Sequence, residues 1–337
     1  MADRIRVLVV NDSLLMCEAI KAVLEDDPQI EVIGFAKDGK EGIEKAFKLK
    51  PNVVAMDLEM PVMSGFEAIE KIMEENPIPI IVVSTLDIPV MMKALGIGAM
   101  DFVGVRQGIE EMAEELLEKV KIASRVRPLR RIKIRPLGMA RPIGEEKAVP
   151  RRVVGIGIST GGPQALQVLL SKLPATLSCG ILIVQHMSRG FIEGLAEWLQ
   201  ASSPLDIQVA KAGDVLSAGK VLLAPDDYHI KINAERRIIL SEDTGRSSSH
   251  VPSVNVMMQS VAENFGKDAT GVIMTGMGHD GVEGIKAINK AGGKTIAQDE
   301  KTSAIFGMNR EAIRTGCVDR IVALENIADE IVSIAST

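Results

Sequence analysis

The stretch "VVGIGISTGGPQ" (residues 153–164) joins an apolar run to a glycine-rich turn, and a helical pattern follows it. Pro163 is preorganised for the first turn of that helix. Strand, tight turn and helix in this order are typical of α/β domains, where functional groups gather at the carboxyl ends of strands. Ser159 stands at such an end, so the turn predicts either a phosphate-binding loop or a loop that presents a nucleophile.

The region after this stretch repeats the pattern. Further strand candidates are GILIVQH (180–186), KVLLAP (220–225) and TGVIMTG (270–276), and IKINAERRIIL (230–240) is a candidate hairpin around Ala234. Helical patterns follow the strands that begin at 180 and 270. The sequence therefore predicts an α/β domain with a mostly parallel sheet over residues 151–337.

The first 124 residues alternate in the same way. Short apolar runs that read as buried parallel strands lie between helical patterns. The strand candidates are 5–11, 52–57 and 79–85, and the helix candidates are 14–26, 65–76 and 110–124. This alternation predicts a doubly wound α/β domain, which agrees with the two-domain expectation for 337 residues.

Composition limits the protein's class. The hydrophobic fraction of 46% and the charged fraction of 25% are those of a globular protein. The start of the sequence does not resemble a signal peptide, and no apolar stretch reaches membrane-spanning length. Three widely separated cysteines indicate neither a disulfide framework nor a zinc site. We expect a protein of the reducing cytoplasm.

A basic, proline-rich segment separates the two regions. Residues 125–152 contain ten Lys and Arg against two Asp and Glu, with four prolines. Proline at this spacing prevents a continuous helix, and the charges keep the chain solvated. We interpret residues 125–150 as an interdomain linker. Binding to nucleic acid or acidic lipid is an alternative, but no aromatic side chains are interleaved for base stacking. The segment could also lie against the acidic first domain.

Acidic and hydroxyl side chains end several strands of the first domain. Asp12 follows the first strand, Asp57 ends a later one and Ser84 ends the next. Acids at one sheet edge can hold Mg²⁺, and an aspartate beside that ion can attack phosphate. Helix capping explains Asp12 equally well when it is taken alone.

Taken together, Asp12, "DLEMPVMSG" (57–65) and Ser84 resemble the receiver domain of response regulators over residues 4–124. The resemblance implies a flavodoxin-like fold with Asp57 as the phosphoacceptor. It also implies Mg²⁺ ligands from Asp12, Asp57 and the Glu59 carbonyl, with Ser84 contacting the phosphoryl group. We assign residues 1–124 to this domain.

Two positions depart from the receiver pattern. Asn11 stands where a second acid is usual, and Val105 stands where a lysine is usual. Arg106 follows, but strand alternation directs it to the opposite face. We expect weakened phosphorylation of Asp57 or altered switching.

In the second domain, a dinucleotide site is one alternative. The glycines give G-x-G-x-x-x-G instead of G-x-G-x-x-G, and the second strand ends in Gln185-His186 without the acid that binds ribose.

The nucleophile alternative needs a base beside Ser159. His186 ends the neighbouring strand, whereas we expect His229 and His250 to be ordinary surface or core histidines.

An acid completes this second alternative. Asp280 follows the strand candidate 270–276 and could orient His186 as in a Ser-His-Asp triad. It could instead cap the helix that begins near Gly281. His279 is a competing base, but sequence neighbours usually point apart. The small residues around Ser159 are interpreted as clearing space for a substrate backbone and an oxyanion.

The motifs "GISTGGP", "VQHMS" and "TGMGHDG" carry Ser159, His186 and Asp280 and resemble the chemotaxis protein-glutamate methylesterases of the CheB family. So do "APDDYHI", "SHVPSVNVMM" and "AQDEKTSAIFGMNREAI". With the receiver in front, the resemblance covers essentially the whole chain. It implies that Ser159 attacks receptor glutamyl methyl esters, with backbone N–H groups near Thr160 and Met277 as the oxyanion hole.

The resemblance also implies the biological setting. Such a protein removes methyl groups from chemoreceptors, deamidates receptor glutamines and is phosphorylated by the chemotaxis histidine kinase. Its esterase reaction needs no cofactor. We expect a cytoplasmic monomer recruited to receptor arrays, without nucleic-acid binding. Asn255, where the family often has aspartate, is expected on the receptor-facing rim. Two alternative functions are a regulatory binding module whose receiver is a pseudo-receiver, and, separately, an oxidoreductase.

Overall fold

The computed structural model describes residues 4–85, 88–105, 112–126, 150–242 and 250–336. The chain divides into two compact units, Met1–Ile132 and Lys133–Thr337. Of the predicted linker, residues 127–149 lie outside the described residues, as does Arg106. None of the helices in the described ranges combines the length and hydropathy needed to cross a bilayer.

The first unit is a five-stranded parallel sheet with the order β2-β1-β3-β4-β5. The predicted doubly wound fold is confirmed, and the strand order reverses at β1. Its elements are β1 (Ile5–Val10), α1 (Leu14–Glu25), β2 (Ile30–Ala36), α2 (Gly39–Leu49), β3 (Val53–Met56), α3 (Gly65–Glu75), β4 (Ile80–Ser84), α4 (Ile88–Ile97), β5 (Asp101–Gly104) and α5 (Ala113–Ala123).

The second unit contains a seven-stranded parallel sheet with the order β14-β13-β12-β6-β7-β9-β8 and a separate antiparallel pair. The mostly parallel α/β fold is confirmed, including the hairpin at Ala234. Its elements are β6 (Val153–Ile158), α6 (Gly162–Lys172), β7 (Gly180–Gln185), α7 (Ile192–Ser202), β8 (Asp206–Val209), β9 (Lys220–Leu223), β10 (His229–Ile232), β11 (Ile238–Ser241), α8 (Val254–Phe265), β12 (Ala269–Ile273), α9 (Val282–Lys290), β13 (Lys294–Gln298), α10 (Met308–Arg314), β14 (Arg320–Val322) and α11 (Leu324–Ala335).

Strand order reverses at β6, since the chain moves to β7 on one side and returns through β12 on the other. In open α/β sheets, ligands bind beyond the carboxyl ends of the strands at such a switch point. All residues of β6, β7 and β12 are buried, as continuous apolar runs in a doubly covered sheet should be. The three segments that follow these strands therefore meet at one edge.

The glycines of β6 serve a purpose that the sequence did not suggest. A Cβ at Gly157 would lie 2.2 Å from Val254 Cγ1, and one at Gly155 would lie 2.6 Å from Met257 Sδ. Both glycines therefore admit helix α8 close to the sheet. The interpretation that they clear space for a substrate backbone is wrong, because the protein's own helix occupies that space.

Candidate active site

In the first unit, Asp57 follows β3 and its carboxylate is held by neutral donors. Ser84 Oγ donates to Asp57 Oδ1 at 3.0 Å, and the Leu58 N–H donates to the same oxygen at 2.7 Å. Asn11 Nδ2 donates to Oδ2 at 3.1 Å. The structure thus brings together the predicted residues Asp57 and Ser84, and it adds Asn11 as a direct partner of Asp57.

Burial raises the pKa of Asp57 despite these hydrogen bonds, and the nearby charge of Asp12 raises it further. Asp12 and Glu59 are exposed beside it. Val105 donates its N–H to the Ser84 carbonyl at 3.0 Å, so an apolar residue lies next to this serine. Within the described ranges, no cluster of three His, Cys, Asp or Glu side chains could hold a metal ion.

In the second unit, Ser159, His186 and Asp280 follow β6, β7 and β12 respectively. The last register pair of β6 and β7 joins Ile158 to Gln185, so Ser159 and His186 leave adjacent strands at the same level. The His186 N–H also donates to the Ile158 carbonyl at 3.0 Å. The three predicted side chains therefore belong to neighbouring strand ends at the switch point.

His186 and Asp280 are joined directly. Nε2 of His186 lies 3.0 Å from Asp280 Oδ2, and both side chains are largely buried. An ionised carboxylate can only accept, so Nε2 carries a proton and Nδ1 is the nitrogen left free for base chemistry. Burial by itself raises the pKa of Asp280, but the hydrogen bonds from His186 and from the Asn255 and Val254 backbones outweigh burial and lower it.

Asp280 also holds the start of α8. Its Oδ1 accepts from Ser253 Oγ at 2.9 Å and from the Asn255 N–H at 3.0 Å, and its Oδ2 accepts from the Val254 N–H at 2.7 Å. A carboxylate at a helix N-terminus satisfies donors that the helix itself leaves unpaired. The predicted alternative, capping of the helix near Gly281, is therefore wrong: Asp280 caps α8.

The helix that begins after Gly281 is capped by Asn255 instead. Asn255 Oδ1 accepts from the N–H groups of Gly281 and Gly284, both at 2.9 Å. Asp280 and Asn255 thus cap the helices α8 and α9 reciprocally. Asn255 was expected on a receptor-facing rim; it lies instead behind Asp280, where an uncharged side chain adds no second negative charge.

Ser159 occupies a tight turn into α6. Its N–H donates to the Thr275 carbonyl at 3.0 Å, and its carbonyl accepts from the Gly162 N–H at 2.8 Å. Gly161 has φ 76°, a left-handed conformation that favours glycine. A Cβ at Gly276 would lie 2.7 Å from Ser159 Cβ. Main-chain contacts therefore fix Ser159 at the strand end.

The predicted oxyanion donors belong to Thr160, which follows Ser159, and to Met277, which follows the closely approaching Gly276. Among the described residues, no acceptor bonds the N–H of Thr160 or of Met277. Thr275 Oγ1 donates to the Thr160 carbonyl at 3.0 Å and accepts from the Ile305 N–H at 3.0 Å. The bond from Thr275 Oγ1 holds the carbonyl of the Thr160–Gly161 peptide. The Thr160 N–H belongs to the preceding peptide and has no acceptor within the described ranges.

The other histidines differ in their surroundings. His229 is buried, and its Nδ1 accepts from the Ser253 N–H at 3.1 Å, as expected of a satisfied core histidine. His279 is exposed. His250 departs from the expected ordinary role, because its ring stacks on His186 with centroids 4.9 Å apart. The sequence places His250 in the "SHVPSVN" motif, but no spacing rule links it to His186.

Both units of the chain match known protein families. Residues 7–117 match the model of the response regulator receiver domain, and residues 154–331 match that of the CheB methylesterase. A Pyrococcus horikoshii protein named protein-glutamate methylesterase/protein-glutamine glutaminase is 41% identical, with 98% of this chain and 94% of that protein covered. A Symbiobacterium thermophilum protein of the same name is 40% identical, with 98% of each chain covered.

A solved structure supports the catalytic fold. The Thermotoga maritima CheB methylesterase catalytic domain is 32% identical, with a TM-score of 0.52, and the match covers 54% of this chain and 98% of that domain. The parallel sheet of the second unit thus agrees with the fold of a solved methylesterase domain. The chain belongs to the CheB methylesterase family, with a response regulator receiver domain ahead of the methylesterase domain.

Proposed function

We propose that this protein hydrolyses glutamate methyl esters on the cytoplasmic helices of chemoreceptors and deamidates receptor glutamines. Residues 151–337 form the catalytic domain, residues 1–124 the receiver and residues 125–150 the linker between them. The observation that carries the proposal is the 3.0 Å contact of His186 Nε2 with Asp280 Oδ2, one strand from Ser159 at the same sheet edge.

In the first step, His186 Nδ1 takes the proton of Ser159 Oγ as the oxygen attacks the ester carbonyl. Asp280 stabilises the imidazolium through Nε2. His186 then returns the proton to the methoxide leaving group, and methanol departs from an acyl-enzyme. A water molecule, deprotonated by His186 Nδ1, hydrolyses this intermediate. Attack on a glutamine side chain releases ammonia by the same route.

The developing oxyanion is bound by the backbone N–H groups of Thr160 and Met277. Their lack of an acceptor among the described residues supports this role, since a free donor needs no rearrangement when charge develops. Loss of one such donor typically lowers kcat by about 10²–10³-fold. No cofactor takes part in this chemistry.

The receiver controls access to the catalytic site through phosphorylation of Asp57 by the chemotaxis histidine kinase. Receiver domains bind Mg²⁺ in general, and the oxygen donors fit that ion: the carboxylates of Asp12 and Asp57 with the Glu59 carbonyl. A Mg²⁺ ion held by these residues would neutralise charge on the incoming phosphoryl group. Asn11 removes one negative charge from this set and Val105 removes the paired cation, so phosphorylation is weak.

The proposal places the protein in the cytoplasm as a monomer, recruited to receptor arrays and without affinity for nucleic acid. Its test is methanol release from methylated receptor membranes, with and without a small-molecule phosphodonor. We expect Ser159→Ala to abolish release and Asp57→Asn to abolish only the phosphodonor response. Methanol release by Ser159→Ala at the wild-type rate would exclude Ser159 as the nucleophile.

A second candidate function is a regulatory binding module with a pseudo-receiver that docks without phosphate. Asn11 and Val105 favour it. The joined His186 and Asp280 favour the enzyme. Ordinary Mg²⁺-dependent labelling of Asp57 would exclude the pseudo-receiver, and a release rate unchanged by phosphodonor would support it.

A further inference from the structure

Gln185 is the last residue of β7 and directly precedes His186. Its side chain is buried, with 4% of the residue exposed. Its Nε2 donates to the Ser159 carbonyl at 2.9 Å and to the His186 carbonyl at 2.7 Å. One side-chain amide is therefore bonded to the backbones of both the nucleophile and the base.

This amide acts where the strand ladder ends. Ile158 and Gln185 form the last register pair of β6 and β7, and the His186 N–H to Ile158 carbonyl bond closes the ladder. Beyond it, Ser159 enters the turn to α6 and His186 enters the segment before α7. The Gln185 amide adds hydrogen bonds one residue beyond this ladder, between the two segments that leave β6 and β7.

The orientation of the amide is fixed by its surroundings. Reversal would place Oε1 against two carbonyl oxygens, so Nε2 must face Ser159 and His186. Oε1 then faces Gly162, where a Cβ would lie 1.9 Å away. Within the described part of the chain, Oε1 is buried and has no hydrogen-bond partner. An unsatisfied buried acceptor is costly, which indicates that the two N–H bonds on the other side are needed.

We propose that Gln185 is a positioning residue for the esterase reaction, which holds the Ser159 and His186 backbones at the separation that proton transfer between their side chains requires. It touches neither substrate nor reacting atoms. The inference rests on the proposed roles of Ser159 and His186, and it predicts that loss of the amide lowers the reaction rate without weakening receptor binding.

The test compares full-length Gln185→Met with wild type. Methionine fills a similar volume and removes both donors and the orphan acceptor. We expect kcat for methanol release to fall about 10- to 100-fold, since small misplacement of reacting groups has effects of this size. KM should stay within about twofold. The rate at which a fluorophosphonate labels Ser159 should fall by the same factor as kcat, because the probe needs an activated serine but no receptor.

Gln200→Met is the matched control. Gln200 Nε2 donates to the Leu205 carbonyl at 2.9 Å, and its Oε1 accepts from the Ile207 N–H at 2.8 Å. It is also a glutamine that bridges two backbone groups in the second unit, but it lies at the end of α7. We expect it to lower the unfolding temperature and to leave kcat and the labelling rate per folded molecule unchanged.

Labelling of folded Gln185→Met at the wild-type rate would overturn the inference. If that variant does not fold, Gln185→Asn provides the same test, because the shorter amide cannot reach both carbonyls. Failure of the underlying function gives a different result: Ser159→Ala would then still release methanol. If Ser159→Ala is inactive and the Gln185 variants are fully active, only the positioning role of Gln185 is refuted.

Discussion

Replacement of Asp280 by asparagine should damage both catalysis and folding, because this carboxylate serves two sets of donors. Oδ2 faces His186 Nε2 and the Val254 N–H, and Oδ1 faces Ser253 Oγ and the Asn255 N–H. An amide has one accepting atom. In either orientation, its NH₂ group meets a backbone N–H of α8, so one buried donor is left unsatisfied.

The expected magnitudes follow from these contacts. A buried unsatisfied donor costs about 1–3 kcal/mol, and loss of the negative charge at the α8 N-terminus adds about 0.3–1 kcal/mol. We therefore expect Asp280→Asn to lower the free energy of unfolding of the second unit by about 1–4 kcal/mol. If Asp280 stabilises the His186 imidazolium as proposed, loss of its charge should lower kcat by about 10³–10⁴-fold, the effect typical of Ser-His-Asp enzymes.

The assay pairs urea unfolding with methanol release, and Thr295→Val separates the two effects. Thr295 is buried at the start of β13, where its Oγ1 bonds to the Cys317 carbonyl and the Asp319 N–H. Its loss should destabilise the unit by a similar amount but leave kcat per folded molecule unchanged. If Asp280→Asn kept kcat within about threefold of wild type, the triad assignment would be refuted.

The same carboxylate predicts a dependence of stability on pH. The folded-state pKa of Asp280 is lowered from 3.8, so its contribution to stability is complete above that value and is lost as the pH falls through the folded-state pKa. Wild-type stability should therefore decrease on acidification below about pH 4, and the decrease should be smaller in Asp280→Asn. Equal slopes in the two proteins would contradict the stabilising contacts of Asp280.

Three further substitutions test neighbouring contacts. Gly276→Ala places a Cβ 2.7 Å from Ser159 Cβ, so the free energy of unfolding should fall by about 1–3 kcal/mol and methanol release should slow. An unchanged free energy of unfolding would contradict this close approach. Thr275→Val removes the hydroxyl that holds the Thr160 carbonyl beside the proposed oxyanion donor, so kcat should fall about tenfold with KM nearly constant; a change confined to KM would contradict this role. Asn11→Asp restores a second acid, so phosphodonor labelling should need less Mg²⁺; an unchanged Mg²⁺ requirement would exclude this explanation of weak phosphorylation.

Several features could be predicted from the sequence because local patterns carry them. Apolar runs that alternate with helical periods indicated two parallel sheets, and the strand ends located Ser159, His186 and Asp280. Pro163 lies in the first turn of α6, as its fixed φ favours, and the pair β10–β11 forms the expected hairpin. The short strands β8, β13 and β14, of which β8 and β14 form the two edges of the sheet, were not predicted, because three to five residues carry little periodic signal.

Features that depend on contacts between distant segments were not accessible in this way. The glycines of β6 looked like part of a ligand site, yet they face α8, which begins about a hundred residues later. Nothing near Gln185 in the sequence indicates that its side chain reaches the turn after β6. Likewise, nothing near His250 indicates that its ring stacks on the ring of His186. Such roles arise only when the sheet brings these segments together.

Local patterns in the sequence specify the fold class, the two units and the residue types at each sheet edge, because strand and helix periods and strand-end polarity are local properties. The partner of each polar group depends instead on how distant segments pack together. Asp280 caps α8 while Asn255 caps α9, and one Gln185 amide spans two strand ends. A buried donor or acceptor must be satisfied by whatever group packing places within about 3 Å, and packing joins residues that are far apart in the chain.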